Sequence, residues 1–341
     1  MYDTRIYTNA LENGFRVSFL QKPSKTDWSD PRSFRPISLC CHLWKLLERI
    51  IQFHLKDEGA LVKPMHEHQY AFQKGKSTDS AISRTITELE RGTLQNDYVI
   101  AVFMDIKGAF DNLSYDAQIK AMEKHNVPQI IVKWHCNFLN NRYTKCAIGI
   151  QDVTAQLRTG TGQGGVGSPT WFNYGLDELL EDLKKSAANE VGFADDLEFA
   201  VKGHTKWSCK KGAQEAIDIA VRWAERNGLE FSPPKTQAMF LTRKIGKNAK
   251  APGPLKMYGQ ELKHVDSADY LGITINSNLT WSAHLNNKIA KTKRCMIMCR
   301  NALAKFMDQN NLFTVAMFGV RQLKPKPTEK NFESLKEWDS R

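Results

Sequence analysis

The stretch Val191-Gly192-Phe193-Ala194-Asp195-Asp196-Leu197-Glu198-Phe199-Ala200-Val201 places two adjacent acids between two short runs rich in apolar and β-forming residues. Apolar runs on either side of a polar pair predict two strands joined by a tight turn. Aspartate is a poor strand former, and two neighbouring negative charges repel each other. The pair therefore needs either open water or a cation. A cation site would require a further carboxylate on a neighbouring strand.

A third acid, Asp105, ends another apolar run. Residues 98–104 are rich in β-branched and aromatic side chains, which predicts a buried strand. Because an unpaired buried carboxylate is costly, we expect Asp105 to adjoin Asp195 and Asp196 in one antiparallel sheet. Divalent cations would relieve the repulsion between three such acids. Mg²⁺ suits the site because it binds carboxylate and phosphate oxygens, and two ions can clamp the attacking and leaving oxygens of a phosphoryl transfer.

Each acid taken alone also has a plainer interpretation. An Asp-Asp pair at a turn is commonly a solvated turn, and Asp105 could cap the segment that follows it. Asp111 is better explained as a helix-entry or turn residue than as a metal ligand.

Composition and charge restrict the class of protein. The chain has 341 residues, 48 Lys+Arg against 37 Asp+Glu, and a formal charge of +11. This length accommodates one large or two moderate domains, and the basic excess favours nucleic acid or an anionic membrane surface as partner. No run of about 18 apolar residues and no signal-peptide layout is found, so we expect no membrane span and no secretion. The seven scattered cysteines lack a Cys-x-x-Cys pair, which gives zinc ligation little support and favours a reducing, intracellular setting.

Hydrophobic periodicity and turn residues predict the remaining elements. Further strands are predicted over residues 15–20, 145–150, 156–159, 238–242 and 270–275. Helices are predicted over about 39–55, 78–94, 114–124, 128–139, 170–186, 214–226 and 285–303. A glycine-rich loop covers residues 160–168, and residues 244–254 are expected to be a surface loop or an internal boundary. The last twenty residues are expected to fold poorly.

Several motifs follow one another along the chain in a specific order: FLQKPSK (19–25), SFRPISL (33–39), QYAFQKGKST (69–78), MDIKGAFD (104–111), GTGQGGVGSP (160–169), FADD (193–196), Gly228-Leu229, Lys235-Thr236, YLGI (270–273) and LTW (279–281). Together they resemble the reverse transcriptase domain of non-LTR (LINE-type) retrotransposons of the jockey-like kind. The resemblance spans about residues 15–305.

The resemblance implies an α+β fold, namely a right-hand polymerase with fingers, palm and partial thumb, whose antiparallel palm sheet carries the catalytic acids. It implies a fingers region in residues 1–97 and a palm, interleaved with the fingers, in 98–243. The end of the palm and a thumb-like helical region would occupy 244–306. Residues 307–341 would form a divergent, poorly ordered tail.

In that family the acids at Asp105, Asp195 and Asp196 are catalytic. The first two would be the principal metal ligands, with the backbone carbonyl of Ile106 in the same ligand set and Asp196 in support. The implied reaction is attack of a primer 3′-hydroxyl on the α-phosphate of a nucleotide, assisted by two Mg²⁺ ions or by Mn²⁺ in their place. The implied partners are an RNA template, a DNA primer and dNTPs. The oligomeric state is left open.

The resemblance also implies residues that contact substrate. The ring of Phe110 would pack against the nucleotide sugar and exclude a 2′-hydroxyl, although a core phenylalanine is the plainer interpretation. Gln163 would lie beside the nascent base pair, and Lys235 near the incoming nucleotide. The remaining basic residues would meet the triphosphate or the template, where a solvated surface residue is the alternative; they are Arg35, Lys74 and Lys76.

Some positions depart from the family pattern. Gly162 and Gly167 stand where proline and leucine are usual, which predicts a looser loop, and Gln73 replaces a more frequent arginine. With no endonuclease, RNase H or Cys-His knuckle motif in view, we expect a fragment of a longer polyprotein. Two alternatives to an active polymerase therefore stay open. One is an inactive or truncated retroelement relic that at most binds nucleic acid, and the other is a basic nucleic-acid-binding module of another fold.

Overall fold

The structure is a computed structural model that describes residues 15–21, 33–57, 62–148, 151–262 and 264–306. The strands are β1 (Phe15–Gln21), β2 (Phe34–Leu39), β3 (Tyr98–Asp105), β4 (Tyr143–Ile148), β5 (Gln151–Gln156), β6 (Asn189–Phe193), β7 (Asp196–Gly203), β8 (Gln237–Leu241), β9 (Leu255–Met257), β10 (Gln260–Leu262), β11 (His264–Val265), β12 (Ser267–Tyr270) and β13 (Ile273–Asn276). The α-helices are α1 (His42–Asp57), α2 (Thr78–Leu94), α3 (Ala109–Asn112), α4 (Tyr115–Lys124), α5 (Gln129–Asn140), α6 (Ser168–Lys185), α7 (Lys206–Asn227) and α8 (Ser282–Phe306).

The central sheet has the strand order β11-β8-β3-β7-β6, and β3 pairs antiparallel with both β7 and β8. Every residue of β3 except the last is buried, because both faces of the sheet are covered. Side chains of alternate residues point to opposite faces. Ile100 and Val102 pack in a core formed with α6 and α7, whereas Val99 and Ala101 pack in a second core with α2 and the β12–β13 hairpin. This packing fixes the register of β3 and therefore the position of the acid at its end.

A second sheet has the order β2-β1-β4-β5, in which β1 and β4 run parallel. The glycine-rich loop follows β5 and leads directly into α6, so it connects this sheet to a helix that packs on the central sheet. Pro169 follows Ser168 in the first turn of α6, where its missing N–H costs nothing.

Most predicted elements are found at nearly the predicted positions, but three predictions are wrong in detail. The strand predicted over 270–275 is two strands, β12 and β13, because Leu271 (φ +46°) and Gly272 (φ +82°) form a turn between them. The helix predicted over 214–226 begins at Lys206, where Thr205 and Ser208 form a capping box. The strand predicted over 156–159 is centred earlier, in β5.

The chain divides into two compact units, residues 1–281 and 282–341. The first contains all the described strands, and α8 is the described element of the second. The predicted tail, 307–341, lies outside the described residues, as do residues 22–25 of the first motif. Among the described helices, none combines the length and apolar character that a membrane crossing requires.

A buried histidine on α5 carries a pH-dependent part of the stability. His135 is 2% exposed, its Nε2 lies 3.2 Å from the Oε1 of Gln118, and its Nδ1 has no hydrogen-bond partner. Burial, aided by the charge of Arg142, lowers its pKa to about 3. Between that value and the unfolded pKa of about 6.5, the unfolded chain binds a proton that the folded chain does not. Stability is therefore lost as the pH falls below about 6.5, by up to roughly 1.4 kcal/mol per pH unit.

We expect His135→Gln to remove this contribution, because glutamine can still donate to Gln118 but does not titrate. Urea unfolding at pH 7.5 and pH 5.0 measures it. The free energy of unfolding of the wild type should fall by about 2 kcal/mol more than that of the variant over this interval. His42→Gln, at an exposed histidine, is the control and should behave as the wild type. Equal losses in His135→Gln and the wild type would contradict the prediction.

Candidate active site

A tight hairpin presents the two adjacent acids. β6 and β7 pair up to Phe193 and Asp196, so only Ala194 and Asp195 form the loop. Ala194 adopts φ +55°, a left-handed conformation that costs a residue with a Cβ about 1–2 kcal/mol. Two-residue hairpin loops require such positive φ values, and strain of this kind concentrates at functional sites. Asp195 therefore lies in the loop and Asp196 opens β7, whereas the sequence predicted both acids at the turn.

The third acid, Asp105, lies on the neighbouring strand of the central sheet. Asp105, the last residue of β3, is the register partner of Asp196. The N–H of Ile106 donates to the carbonyl of Asp195 at 3.3 Å, and the carbonyl of Asp105 accepts from the N–H of Ser232 at 3.0 Å. These backbone bonds fix the end of β3, with Asp105, against the hairpin loop that carries Asp195. The prediction of neighbouring antiparallel strands is confirmed for Asp105 and Asp196, and Asp195 lies in the adjoining loop.

The environment of the acids favours added positive charge. Burial raises the pKa of Asp195, and the charge of Asp105 raises it further, whereas Arg35 and Lys235 act in the opposite direction. Burial together with the charges of Asp195 and Asp105 raises the pKa of Asp196 to about 6. The ammonium of Lys235 donates to Oδ2 of Asp105 at 2.8 Å.

This arrangement fits a divalent cation. The acids supply hard oxygen donors on fixed backbone, and their mutual repulsion disfavours the ionised forms unless a cation is present. Within the described part of the chain, the carboxylate oxygens of Asp105, Asp195 and Asp196 do not all lie within 4.8 Å of one another. The ammonium of Lys235 already supplies part of the positive charge that compensates Asp105.

Phe110 lies on the short helix α3, five residues after Asp105 in the chain. Its ring is half-buried and stacks on Phe172 of α6, with centroids 5.1 Å apart and planes 30° apart. Its carbonyl accepts from the N–H of Thr161 at 2.7 Å. Gly160 is essential to this contact, because a Cβ at that position would lie 2.7 Å from the Phe110 carbonyl oxygen. Asp111 lies in the same helical turn, as its plainer interpretation predicted.

The glycine-rich loop is fastened to its surroundings. The carbonyl of Gln163 accepts from the N–H of Ser38 on β2 at 2.7 Å, and the Gln163 side chain is half-buried. The N–H of Val166 donates to Oε2 of Glu48 at 2.8 Å, and Arg142 donates to the carbonyl of Gly160 at 2.6 Å.

Gly162 and Gly167, the two glycines that depart from the family pattern, both pack closely against neighbouring side chains. A Cβ at Gly167 would lie 2.7 Å from the indole nitrogen of Trp171, so the indole occupies the space that a side chain would need. A Cβ at Gly162 would meet Ser38 at 3.2 Å and Arg142 at 3.3 Å. Close packing therefore accompanies the extra glycines, and the predicted looseness is counteracted by neighbouring side chains.

The basic residues divide into two groups. Arg35, exposed on β2, and Lys235 both influence the pKa of Asp195, so the structure brings their charges near the acids. Lys76 instead donates to the carbonyls of Glu67 and Gln69 at 2.6 and 2.8 Å. Lys74 is exposed. Among the described contacts, neither Lys74 nor Lys76 reaches an acid of the site.

Sequence reasoning missed two residues that hold the glycine-rich loop. Glu48 is a buried acid within an otherwise amphipathic helix, a pattern that could have indicated a specific partner. Arg142 is also buried, but nothing in its local sequence distinguishes it from a surface arginine.

Comparison with known proteins gives consistent results. The family model described as reverse transcriptase (RNA-dependent DNA polymerase) matches residues 20–275. The chain is 28% identical over 286 residues to a probable RNA-directed DNA polymerase from transposon BS of Drosophila melanogaster, covering 82% of this chain and 31% of that protein. It is 25% identical over 298 residues to the RNA-directed DNA polymerase from mobile element jockey of the same organism, covering 83% and 32%. The chain thus spans about a third of the length of these relatives.

A solved structure shows the same fold. Apo telomerase from Candida tropicalis, truncated from its C-terminal domain, superposes with a TM-score of 0.52 at 12% identity, covering 79% of this chain and 54% of that one. The predicted α+β right-hand polymerase fold is confirmed. Reverse transcriptases are nucleotidyltransferases that generally use divalent metal ions and act on a nucleic-acid template and primer. Since the family model covers well over half of its length, this chain belongs to the reverse transcriptase family.

Proposed function

We propose that this chain is the polymerase part of a retrotransposon RNA-directed DNA polymerase, which extends a DNA primer on an RNA template. The observation that carries the proposal is the register of the central sheet, in which Asp105 faces Asp196 across β3 and β7 with Asp195 in the adjoining loop. Three acids at one end of the central sheet repel one another unless a cation is bound, so they need a functional explanation.

Two Mg²⁺ ions, or Mn²⁺ in their place, are the proposed cofactors. Asp105, Asp195 and the backbone carbonyl of Ile106 would hold them, with Asp196 in support. When bound, the ions would lower the charge on the attacking and leaving oxygens of the nucleotidyl transfer. Lys235 is well exposed, so its ammonium can leave Asp105 and turn toward the triphosphate once that carboxylate is otherwise neutralised.

The remaining residues would bind and orient the dNTP and the template. Arg35 would contact the triphosphate, because its charge already reaches the acids. Phe110 would face the sugar, and Gln163, on the fastened glycine-rich loop, would contact the nascent base pair. Lys74 would meet a backbone phosphate. Lys76 would act within the same segment by fixing its carbonyls.

We further propose that residues 1–97 form the fingers, 98–243 the palm and 244–306 the end of the palm with a thumb-like region. This division is supported by the central sheet, since its acid-bearing strands all fall within the second range. A retrotransposon polymerase would act inside the cell, in the nucleus or the cytoplasm.

Primer extension tests the proposed activity. We expect the purified chain to extend a labelled DNA primer on an RNA template with dNTPs and Mg²⁺, and to stop when EDTA is added. Binding to the primer–template should weaken as salt rises, because the chain is basic. A folded chain that binds the duplex but adds no nucleotide under any divalent metal would contradict the proposal and support the alternative of an inactive relic.

A further inference from the structure

A segment of the chain is attached to the edge of the central sheet beside the acids. The N–H of Gly192 donates to the carbonyl of His68 at 3.0 Å, and the N–H of Tyr70 donates to the carbonyl of Gly192 at 2.8 Å. Gln69 and Gly192 thereby form a parallel bridge. Because Gly192 lies three residues before Asp195, whatever fixes residues 66–70 also fixes the strand that leads into the catalytic hairpin.

Side chains from this segment and from β6 converge at that attachment. His66, His68 and Glu190 place one potential ligand atom each within 4.8 Å of one another, and no other such His, Cys, Asp or Glu group of three occurs in the described residues. Oε1 of Glu190 lies 2.7 Å from Nδ1 of His68 and 3.7 Å from Nε2 of His66. The side chains of Glu190 and His66 are only 1% and 6% exposed.

Two further buried acids, Glu198 and Asp177, surround this cluster. Glu190 is buried, and its charge contributes to a raised pKa at Glu198 on the adjacent strand. Oε1 of Glu198 is buried without a hydrogen-bond partner. Asp177 is also buried and accepts the backbone N–H of His66. Among the described contacts, Glu190 pairs directly with the imidazoles of His66 and His68, and Lys184, which is paired with Glu67, acts on Glu190 through its charge alone. A bound cation would place positive charge in direct contact with Glu190.

We propose that His66, His68 and Glu190 bind a zinc ion that fastens residues 66–70 to β6. Two imidazoles and one carboxylate form a ligand set typical of zinc, whereas Mg²⁺ prefers oxygen ligands and would stay with the three aspartates. Zinc–nitrogen distances of about 2.0–2.1 Å place ligand atoms of a tetrahedral site roughly 3.3 Å apart. The observed 2.7 and 3.7 Å separations lie on either side of that value, so small rotations of the side chains suffice.

Two hydrogen bonds compete with the metal. His68 Nδ1 pairs with Glu190, and the backbone N–H of His68 donates to Nδ1 of His66 at 3.2 Å. Binding through Nε2 moves the proton of neutral His66 to Nδ1, so this second, longer contact must open. The fourth ligand position would be taken by water.

Zinc binding by the full chain tests the proposal without any activity assay. After dialysis against EDTA, the wild type should bind one equivalent of Zn²⁺, raise its Tm by roughly 3–6 °C at a 100-fold excess over Kd, and give the visible absorption of four-coordinate Co²⁺ when Co²⁺ is added instead. His68→Gln can keep the hydrogen bond to Glu190 but cannot ligate, and it should lose at least about 100-fold in zinc affinity. Glu190→Gln is the second variant, in case the first folds poorly.

A matched control is available in the same chain. Nδ1 of His204 lies 2.7 Å from Oδ1 of Asp97, the same separation as in the His68–Glu190 pair, but His204 is exposed and this pair has no third ligand among the described residues. His204→Gln should therefore bind zinc as the wild type does. Equal zinc affinity and equal Co²⁺ spectra for the wild type, His68→Gln and Glu190→Gln would overturn the proposal and leave the cluster as a hydrogen-bonded network.

Discussion

Replacing Asp195 by asparagine should abolish primer extension while making the folded chain more stable. The loss of activity follows from the proposed role, because asparagine is a poor ligand for Mg²⁺ and cannot balance its charge. We expect a fall of at least about 10³-fold in kcat, the scale on which other preorganised electrostatic groups act. Extension by single nucleotides in rapid-quench experiments measures it.

The gain in stability has a separate cause. Burial and the charge of Asp105 raise the pKa of Asp195, so the carboxylate is less favourable in the folded chain than in the unfolded one. A group with a raised folded pKa contributes its full stability below its unfolded pKa and loses it as the pH rises. The asparagine side chain carries no charge at any pH. The variant should therefore exceed the wild type by on the order of 1 kcal/mol at pH 7, and this difference should vanish near pH 4.

Opposite changes in activity and stability identify the acid as functional. Asp218→Asn, at an exposed acid on α7, is the control and should change neither quantity. If Asp195→Asn lost stability together with activity, the aspartate would be a structural residue. Unchanged extension would remove Asp195 from the proposed site.

The core of the site could be predicted because its signals are local. The apolar run of β3 is long enough to require burial on both faces, so its terminal acid had to lie at a sheet end. The alternating apolar residues of β7 indicated a neighbouring strand in the same sheet. Since the acids mark where these strands end, their meeting followed from the pattern alone.

The details of turns could not be predicted in the same way. Ala194 and Leu271 both adopt positive φ, which neither residue favours in isolation. The pairing of the flanking strands imposes these conformations, so the sequence around each turn carries little sign of them. For this reason the sequence indicated an Asp-Asp turn and a continuous strand through Leu271, and both differ from the structure.

Contacts between residues far apart in the chain could not be predicted from the sequence either. Glu48 and Val166 are 118 residues apart, yet their hydrogen bond holds the glycine-rich loop. The motif around Lys76 led to the expectation of a substrate contact, but the Lys76 ammonium donates to two carbonyls of its own segment. Which groups pair in such long-range hydrogen bonds depends on the folded geometry, and the pairing produces no periodic pattern in the sequence.

Replacing Phe110 by alanine should let the enzyme use ribonucleotides. The ring of Phe110 stacks on Phe172, and the backbone of Phe110 is held by the hydrogen bond from the N–H of Thr161 to its carbonyl. A ring fixed in this way cannot move aside for a 2′-hydroxyl, so the proposed contact with the sugar would exclude ribonucleotides by steric conflict. Alanine removes the obstacle without touching the acids.

We expect the ratio of kcat/KM for rNTP over dNTP to rise by roughly 10²-fold in Phe110→Ala, the scale of discrimination that one pocket-filling group provides. Competition between the two nucleotides on one template measures this ratio independently of the total activity. Phe110→Tyr, which keeps the ring, should discriminate as the wild type does. The ratio for Phe110→Val should fall between those of Phe110→Ala and the wild type. Phe110→Val also serves as the second variant if Phe110→Ala folds poorly. Loss of a half-buried ring costs less than the roughly 3–5 kcal/mol of a fully buried one. If Phe110 contacts the sugar, removing its ring must weaken the exclusion of ribonucleotides. An unchanged ratio in Phe110→Ala would therefore make Phe110 a core residue only.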